Sequence, residues 1–449
     1  MATRREFLRT AAAGSGIATS LLAAQAPQHH TVSANDKIQV ALIGCGGMGQ
    51  GDAHTSTSTG LTKIVAACDC YDGRLQHMKE LYGADIFTTK NYQEVLARPE
   101  IDAVIIGTPD HWHQKITIDA LDAKKDIYCE KPMVQHIDDG MAVIEAQKRT
   151  NRILQIGSQR VSSIIYKKAQ ELFRAGAIGK LNLVEAWYDR NSAIGAWEYT
   201  VPPDANTETC DWDRFQGRAP KTAWDPKRFF RWRCYRDYGT GVAGDLFVHL
   251  FSGLHFITGA IGPERVYATG GLRFWKDGRD VPDVLLGQYD YAESPNHPAF
   301  NLIVRTNFVD GAREDSGFRF TGSEGIMTVG QNVTLTVPPP QTQPGYTIGT
   351  FSDAQQAAFL KSYHARYPKV RPTAASMKAS RDQTFEAPRG YSDHYDHHLN
   401  FAQAIRSRKP VVEDAVFGFR AAAAALLSNV SYFENRIVAW DPKAMKMPA

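Results

Sequence analysis

Cysteine is scarce: six in 449 residues, too few for disulfides to organise a chain of this length. Cys45, Cys68, Cys70 and Cys129 fall in or beside apolar strand-like runs, where buried packing is the expectation. Cys210 and Cys234 could pair, although nothing in the sequence requires it. An excess of one charge is also missing. Lys and Arg number 51 against 48 Asp and Glu, the formal net charge is +3, and no basic block stands out, so no nucleic-acid partner is expected. Beyond the N-terminus no apolar window approaches the length of a spanning helix, and no stable membrane span is expected. What is there fits globular domains: 43% apolar and 22% charged residues, in a chain long enough for about two of them.

The first residues read as an address. TRREFLR (3–9) is followed by a small, moderately apolar stretch and then AQA before Pro27. Arg4-Arg5 with Phe7 and Leu8 behind them, and the A-x-A site, resemble a twin-arginine export signal cleaved after Ala26. The export machinery is then a partner and the periplasm the destination. The stretch is too rich in Gly and Ser for a permanent anchor, and residues 27–36 read as a polar linker.

A mononucleotide fold begins at Lys37. IQVALIG (38–44) is a continuous apolar strand of the kind buried on both faces of a parallel sheet. It runs into GCGGMG, with Gly44, Gly46 and Gly49 at G-x-G-x-x-G spacing and Gly47 and Met48 between them. Gly44 permits the sharp turn, Gly46 the approach of a pyrophosphate, and Gly49 close packing of the next helix. Alone the pattern is weak. A second strand, KIVAACD (63–69), ends in Asp69, twenty residues past Gly49. An acid there accepts hydrogen bonds from both ribose hydroxyls and repels a 2′-phosphate, which favours NAD over NADP; the bland alternative is a helix cap. IDAVIIGTPD (101–110), DIYCEKP (126–132) and ILQIGSQ (153–159) continue the alternation of strands and helices expected of a doubly wound sheet.

These residues resemble the glucose–fructose oxidoreductase, inositol dehydrogenase and rhizopine-catabolism family (Gfo/Idh/MocA). The likeness rests on the glycine loop, Thr108-Pro109 with His113, the Glu130-Lys131-Pro132 tripeptide, and Asp245 with His249. Smaller echoes are GAIGK (176–180), GSEGIMTV (322–329) and HHLNFAQAIRSRKP (397–410). The resemblance implies a Rossmann domain over residues 37–159. A C-terminal substrate domain over 160–449 would be built on an open, mostly antiparallel sheet, with the site between the two. The sequence agrees. Residues 180–190, 265–275, 284–291 and 300–308 are rich in β-branched and aromatic residues, and helical patterns run from about Asp393 to Ser407 and from about Ala415 to Tyr432. These helices would pack back on the body. Residues 192–238 read as a long ordered insertion near the site, and 338–390 as similarly irregular.

For the chemistry, the family places a lysine, here Lys131, against the substrate hydroxyl and the nicotinamide ribose; its charge would favour an alkoxide. His249 is the natural general base. Asp245 shares its face if GDLFVHLFSG is helical, and would orient His249 or bind a substrate hydroxyl. Where the family often has a further acid this chain has Ser252, which leaves the detailed substrate network open. Thr108, Pro109, His113 and Glu130 join the cofactor set, with His111 and Trp112 beside them. Arg160, Arg190, Trp232 and Arg233 suit polyol rings. The cluster His394, His397 and His398 with Asp393 or Asp396 has metal-binding atoms, but the family needs no metal and none is expected. The function implied is an exported NAD(H)-dependent oxidoreductase of a sugar or polyol with a recycled cofactor, in a homo-oligomer. The alternative is a redox-neutral glycosidase that uses bound NAD transiently.

Overall fold

The apolar runs of the first half become a parallel sheet. The computed structural model describes residues 36–311, 314–338, 344–369, 371, 373–374 and 382–448. The proposed export signal lies outside them. Strands β1 (Ile38–Ile43), β2 (Thr62–Cys68), β3 (Phe87–Thr89), β4 (Ala103–Ile106), β5 (Asp126–Cys129) and β6 (Leu154–Ile156) lie in the order 3-2-1-4-5-6, all parallel. The order reverses between β1 and β4, and a crevice opens there at the strands' C-terminal ends. Both faces are covered, which is why these strands are continuously rather than alternately apolar.

The second sheet has nine strands in the order β14-β13-β12-β11-β7-β10-β9-β8-β15. They are β7 (Leu181–Asp189), β8 (Arg265–Gly271), β9 (Val284–Tyr291), β10 (Phe300–Asn307), β11 (Asp315–Gly322), β12 (Ile326–Val329), β13 (Asn332–Thr336), β14 (Gln383–Glu386) and β15 (Val438–Ala439). Every pairing is antiparallel except β7 with β10. Here burial alternates. Phe300, Leu302 and Val304 point into the core, while Asn301, Ile303 and Arg305 point out. The fold class expected from the sequence is borne out in both sheets.

Helix Ala415–Glu434 lies under the inner face and packs on helix Val248–Thr258. By length and composition it could cross a membrane, contrary to the expectation of no such window; its run of alanines is instead buried in protein. Helix Asp393–Ser407 returns to the first sheet, where Phe401, Ala402 and Ile405 join the core around Val40 and Leu42. One further expectation is corrected. Residues 338–390 are not uniformly irregular: they include helix Asp353–Arg366 and strand β14. That helix buries no residue, so it carries no apolar stripe for a sequence reader to find. Cys210 and Cys234 are both free, as are the other four cysteines.

Candidate active site

Gly44 turns the chain at the end of β1 with φ +92°, and a Cβ there would lie 2.5 Å from the Gly107 carbonyl carbon. A Cβ on Gly49 would sit 2.1 Å from the Gly44 oxygen, so helix Gly47–Ser58 meets the strand only because that position is bare. Gly47 is different: a Cβ there would meet nothing within 4 Å. The open space in front of it belongs to a cavity of about 880 Å³, which Gly44, Gly46, Gly47, Met48, Thr108 and Pro109 help to line. The buried Thr108 hydroxyl has no hydrogen-bond partner. A pyrophosphate fits this cradle, with the first amides of the helix facing it.

Asp69 stands at the cavity wall. Its Oδ2 accepts from the Cys45 amide at 2.8 Å and its Oδ1 from the Tyr71 amide at 2.9 Å, with Arg74 3.5 Å away. The cap position of helix Asp72–Tyr82 is Tyr71, so Asp69 is not itself the cap residue, although its carboxylate holds the Tyr71 amide. Insertion 192–238 closes the cavity from the other side with Tyr199, Phe229, Phe230, Trp232 and Arg233. It is fastened to the nucleotide domain by backbone. Tyr71 bridges Cys210, Asp72 N–H donates to the Thr209 carbonyl at 3.0 Å, and Asp211 N–H to the Cys70 carbonyl at 2.8 Å. The Tyr71 hydroxyl donates to Asp204 at 2.6 Å.

Two expected cofactor contacts lie deeper than predicted. His113 does not line the cavity: its Nδ1 faces the Pro132 carbonyl at 2.7 Å and its Nε2 the Thr108 carbonyl at 3.0 Å, which ties together two loops at the sheet edge. His111 behaves alike, facing the Phe215 carbonyl at 2.8 Å, and burial pushes its imidazole down to about 4. Trp112 does reach the cavity wall. Glu130 is buried beneath the site, where it accepts from Gln159 at 2.6 Å, and burial and nearby Asp52 hold its carboxyl well above the usual range. A side chain leaving the strand beside Lys131 points to the opposite face, which is why the two part company.

Lys131 is half-buried and donates to the Asp245 carboxylate at 2.8 Å and its carbonyl at 3.0 Å; Arg233 Nε donates to the same carboxylate oxygen at 3.2 Å. Burial alone would raise the Asp245 carboxyl, but Lys131 and then Arg233 hold it well below its ordinary value. The segment is helical as expected, with one π turn at Ala243–Phe247 before helix Val248–Thr258. Asp245 does not orient His249, however, because two cations occupy it. His249 tilts against Tyr188, with ring centroids 6.1 Å apart. Desolvation, then Lys131 and Arg160, push its imidazole well below its ordinary value, so it is neutral at neutral pH. Ser252, where the resemblance expects an acid, donates to Glu413 at 3.1 Å, so a carboxyl reaches the spot from another part of the chain.

The four expected sugar contacts divide. Trp232 and Arg233 line the first cavity, with the guanidinium 4.2 Å from the indole centroid. Arg160 and Arg190 line a second, of about 1220 Å³, together with Tyr188, and Tyr199 belongs to both walls. The histidine cluster is dispersed. His397 Nδ1 is 2.8 Å from the Ser162 hydroxyl, and His398 stacks on Tyr128 with centroids 4.4 Å apart; burial pushes the His394 imidazole below its ordinary value. Among the described residues no three His, Cys, Asp or Glu are grouped to hold a metal ion. Arg74, Tyr199 and Phe230 were not foreseen. The density of aromatic residues in the insertion was the only signal of Tyr199 and Phe230; Arg74 lies on helix Asp72–Tyr82 and had none.

Residues 38–158 match the family model described as "Oxidoreductase family, NAD-binding Rossmann fold". Over those residues the nucleotide domain is similar to the NAD-binding domain of that oxidoreductase family. Among curated relatives, the scyllo-inositol 2-dehydrogenase (NAD(+)) of Bacillus subtilis is 34% identical over 145 residues, 32% of this chain and 42% of the relative. The chain spans less than half the length of the curated relatives it matches. Solved structures extend the likeness of fold. A levoglucosan dehydrogenase in complex with NADH and levoglucosan superposes with a TM-score of 0.63 at 17% identity, over 90% of this chain and 99% of that one. The aldose–aldose oxidoreductase of Caulobacter crescentus, complexed with glycerol, does so with a TM-score of 0.63 at 18% identity and the same coverage.

Proposed function

We propose that this protein is an exported oxidoreductase that oxidises a carbinol of a sugar or polyol and keeps its NAD(H) from one cycle to the next. The observation that carries the reading is Lys131 paired with Asp245, which also holds Arg233 of the first cavity's wall, together with a neutral His249 that tilts against Tyr188 of the second's; the three lie behind these walls and line neither cavity themselves. The named substrates of the similar proteins, an inositol, levoglucosan and an aldose, are all polyhydroxylated.

NAD, when bound, supplies the hydride acceptor. The residues do the rest. The glycine loop and helix N-terminus hold the pyrophosphate, and Asp69 accepts from the adenosine ribose. Lys131, paired with Asp245, donates to the substrate oxygen and favours its alkoxide. The His249 imidazole accepts the hydroxyl proton. The aromatic insertion excludes water and opposes release of the dinucleotide. Self-association through the outer face of the second sheet, where Tyr267, Leu286 and Ile303 stand partly exposed, completes the reading.

The test is to pass purified protein through gel filtration and assay sugars, sugar pairs and aryl glycosides without added NAD. Many turnovers with no net NADH are expected, either by reduction of a second sugar or by a redox-neutral route. Strict dependence on free NAD with stoichiometric NADH release overturns cofactor retention, and no turnover on any of the panel overturns the activity.

A further inference from the structure

Backbone strain marks one turn of the insertion. Trp197 has φ +68°, a left-handed conformation that costs a bulky residue far more than it costs glycine. Its indole is fully buried, edge-on to Phe308 with centroids 4.9 Å apart, and its Nε1 has no hydrogen-bond partner. Strain of this kind persists only where the surroundings over-determine the conformation. Here they do. Arg279 Nη2 donates to the Ala196 carbonyl at 2.8 Å, and Arg231 Nε donates to the Tyr199 carbonyl at 2.8 Å. Between them Glu198 pairs with both guanidiniums, although the Arg279 side chain is completely buried. The Tyr199 amide closes the turn on the Trp197 carbonyl at 2.8 Å.

What this turn delivers is Tyr199. The backbone of that residue is clasped, but its side chain is uncommitted. The half-buried ring rests on the edge of the core, and its hydroxyl has no hydrogen-bond partner among the described residues. No other described residue lines both cavities. In the first it shares the wall with Arg233, which donates to the carboxylate that holds Lys131. In the second it shares the wall with Tyr188, against whose ring His249 tilts. Hydride transfer brings a nicotinamide and a carbinol carbon into contact, so the two ligands must meet where the two walls join. A phenol suits that place, since its ring offers an apolar face and its hydroxyl both donates and accepts.

We infer that Tyr199 touches both ligands at this junction: its ring packs on the nicotinamide end of the bound dinucleotide, and its hydroxyl hydrogen-bonds a hydroxyl of the sugar. This rests on the oxidoreductase reading above and adds to it the residue that reads the sugar against the cofactor. The test uses the holoprotein, with glucose, scyllo-inositol and levoglucosan as probes. Because the fold makes no use of the hydroxyl, Tyr199→Phe should melt at the wild-type temperature. Its kcat/KM for whichever probe is turned over should nevertheless fall about fivefold or more, mainly through KM, as expected for one lost hydrogen bond. Dissociation of NADH from the loaded protein, chased with NAD and followed by NADH fluorescence, should be unchanged in Tyr199→Phe. In Tyr199→Ala, which also loses the ring, it should be about fivefold faster or more. A wild-type KM in Tyr199→Phe overturns the sugar contact, and wild-type NADH dissociation in Tyr199→Ala overturns the cofactor contact. Either result sinks the proposal while the oxidoreductase reading stands. A lowered melting temperature in Tyr199→Phe makes the hydroxyl structural and overturns it too. Absence of turnover with every probe removes both.

Discussion

Desolvation, then Lys131 and Arg160, leave the His249 imidazole neutral, and a neutral imidazole can accept a proton. Lys131→Ala and His249→Ala are each expected to lower kcat by about 10² or more in steady-state assays, with NAD affinity retained in the histidine variant. Because the basic form of His249 persists into acid, kcat/KM should stay level below about pH 6.5, the ordinary imidazole value. An acid limb centred at that value moves the base elsewhere. At the adenosine end, NAD should bind more tightly than NADP by calorimetry, and Asp69→Ala should narrow the gap; a wild-type preference for NADP refutes the assignment. His255 links burial to stability. Burial pushes it down to about 3, where its Nε2 meets the Tyr291 hydroxyl at 3.0 Å. The unfolded chain therefore takes up a proton that the folded chain refuses. The contribution of His255 is complete above about pH 6.5 and is lost as pH falls towards the folded value. In denaturant melts the stability advantage of wild type over His255→Gln should shrink by about 2 kcal/mol between pH 7 and pH 5. Gly44, Lys131 and His249 were legible because each sits in a motif with a mechanism. The capture of Asp245 was not, since the competing Arg233 arrives from the insertion and only the fold brings them together.

Elements differ in how much of their surface the fold uses. Helix Gly140–Thr150 meets helix Ala415–Glu434 through a bare position: a Cβ on Gly140 would lie 2.0 Å from the Phe419 ring. Gly140→Ala should destabilise by about 1–3 kcal/mol, since a rigid ring in the core has nowhere to move. Helix Asp353–Arg366 buries nothing, so Phe359→Ser should change stability by no more than about 0.5 kcal/mol. Parallel thermal melts read both, and a large effect at Phe359 would mean a contact outside the described residues. The same contrast explains what could be read in advance. Strands β7 to β10 and the last two long helices announced themselves through β-branched runs or apolar periodicity. Strands β3 and β14 are three and four residues long with no fully buried position, which leaves no pattern to detect.

At the scale of the whole molecule, the two sheets share a core, and the insertion at 192–238 bridges them over the nucleotide cavity. Its order and its place near the site were legible from its lack of periodicity and its wealth of aromatic residues. Its backbone pairing to the turn after β2 was not, because such pairing leaves no trace in side-chain chemistry. The proposed address is tested by fusing residues 1–36 to a reporter. Export should depend on the folded-protein route, and Arg4→Lys with Arg5→Lys should abolish it; unchanged localisation overturns the address. The bridge at Tyr71 and Cys210 then acquires another meaning. On the proposed reading, a roof stitched to the rim of its own vessel would not be lifted for each delivery, and the dinucleotide would behave as a built-in part and not as a reagent. Every molecule that crosses the membrane would carry its lifetime allotment with it. The working strength of the population outside would be fixed by how completely it was filled before departure.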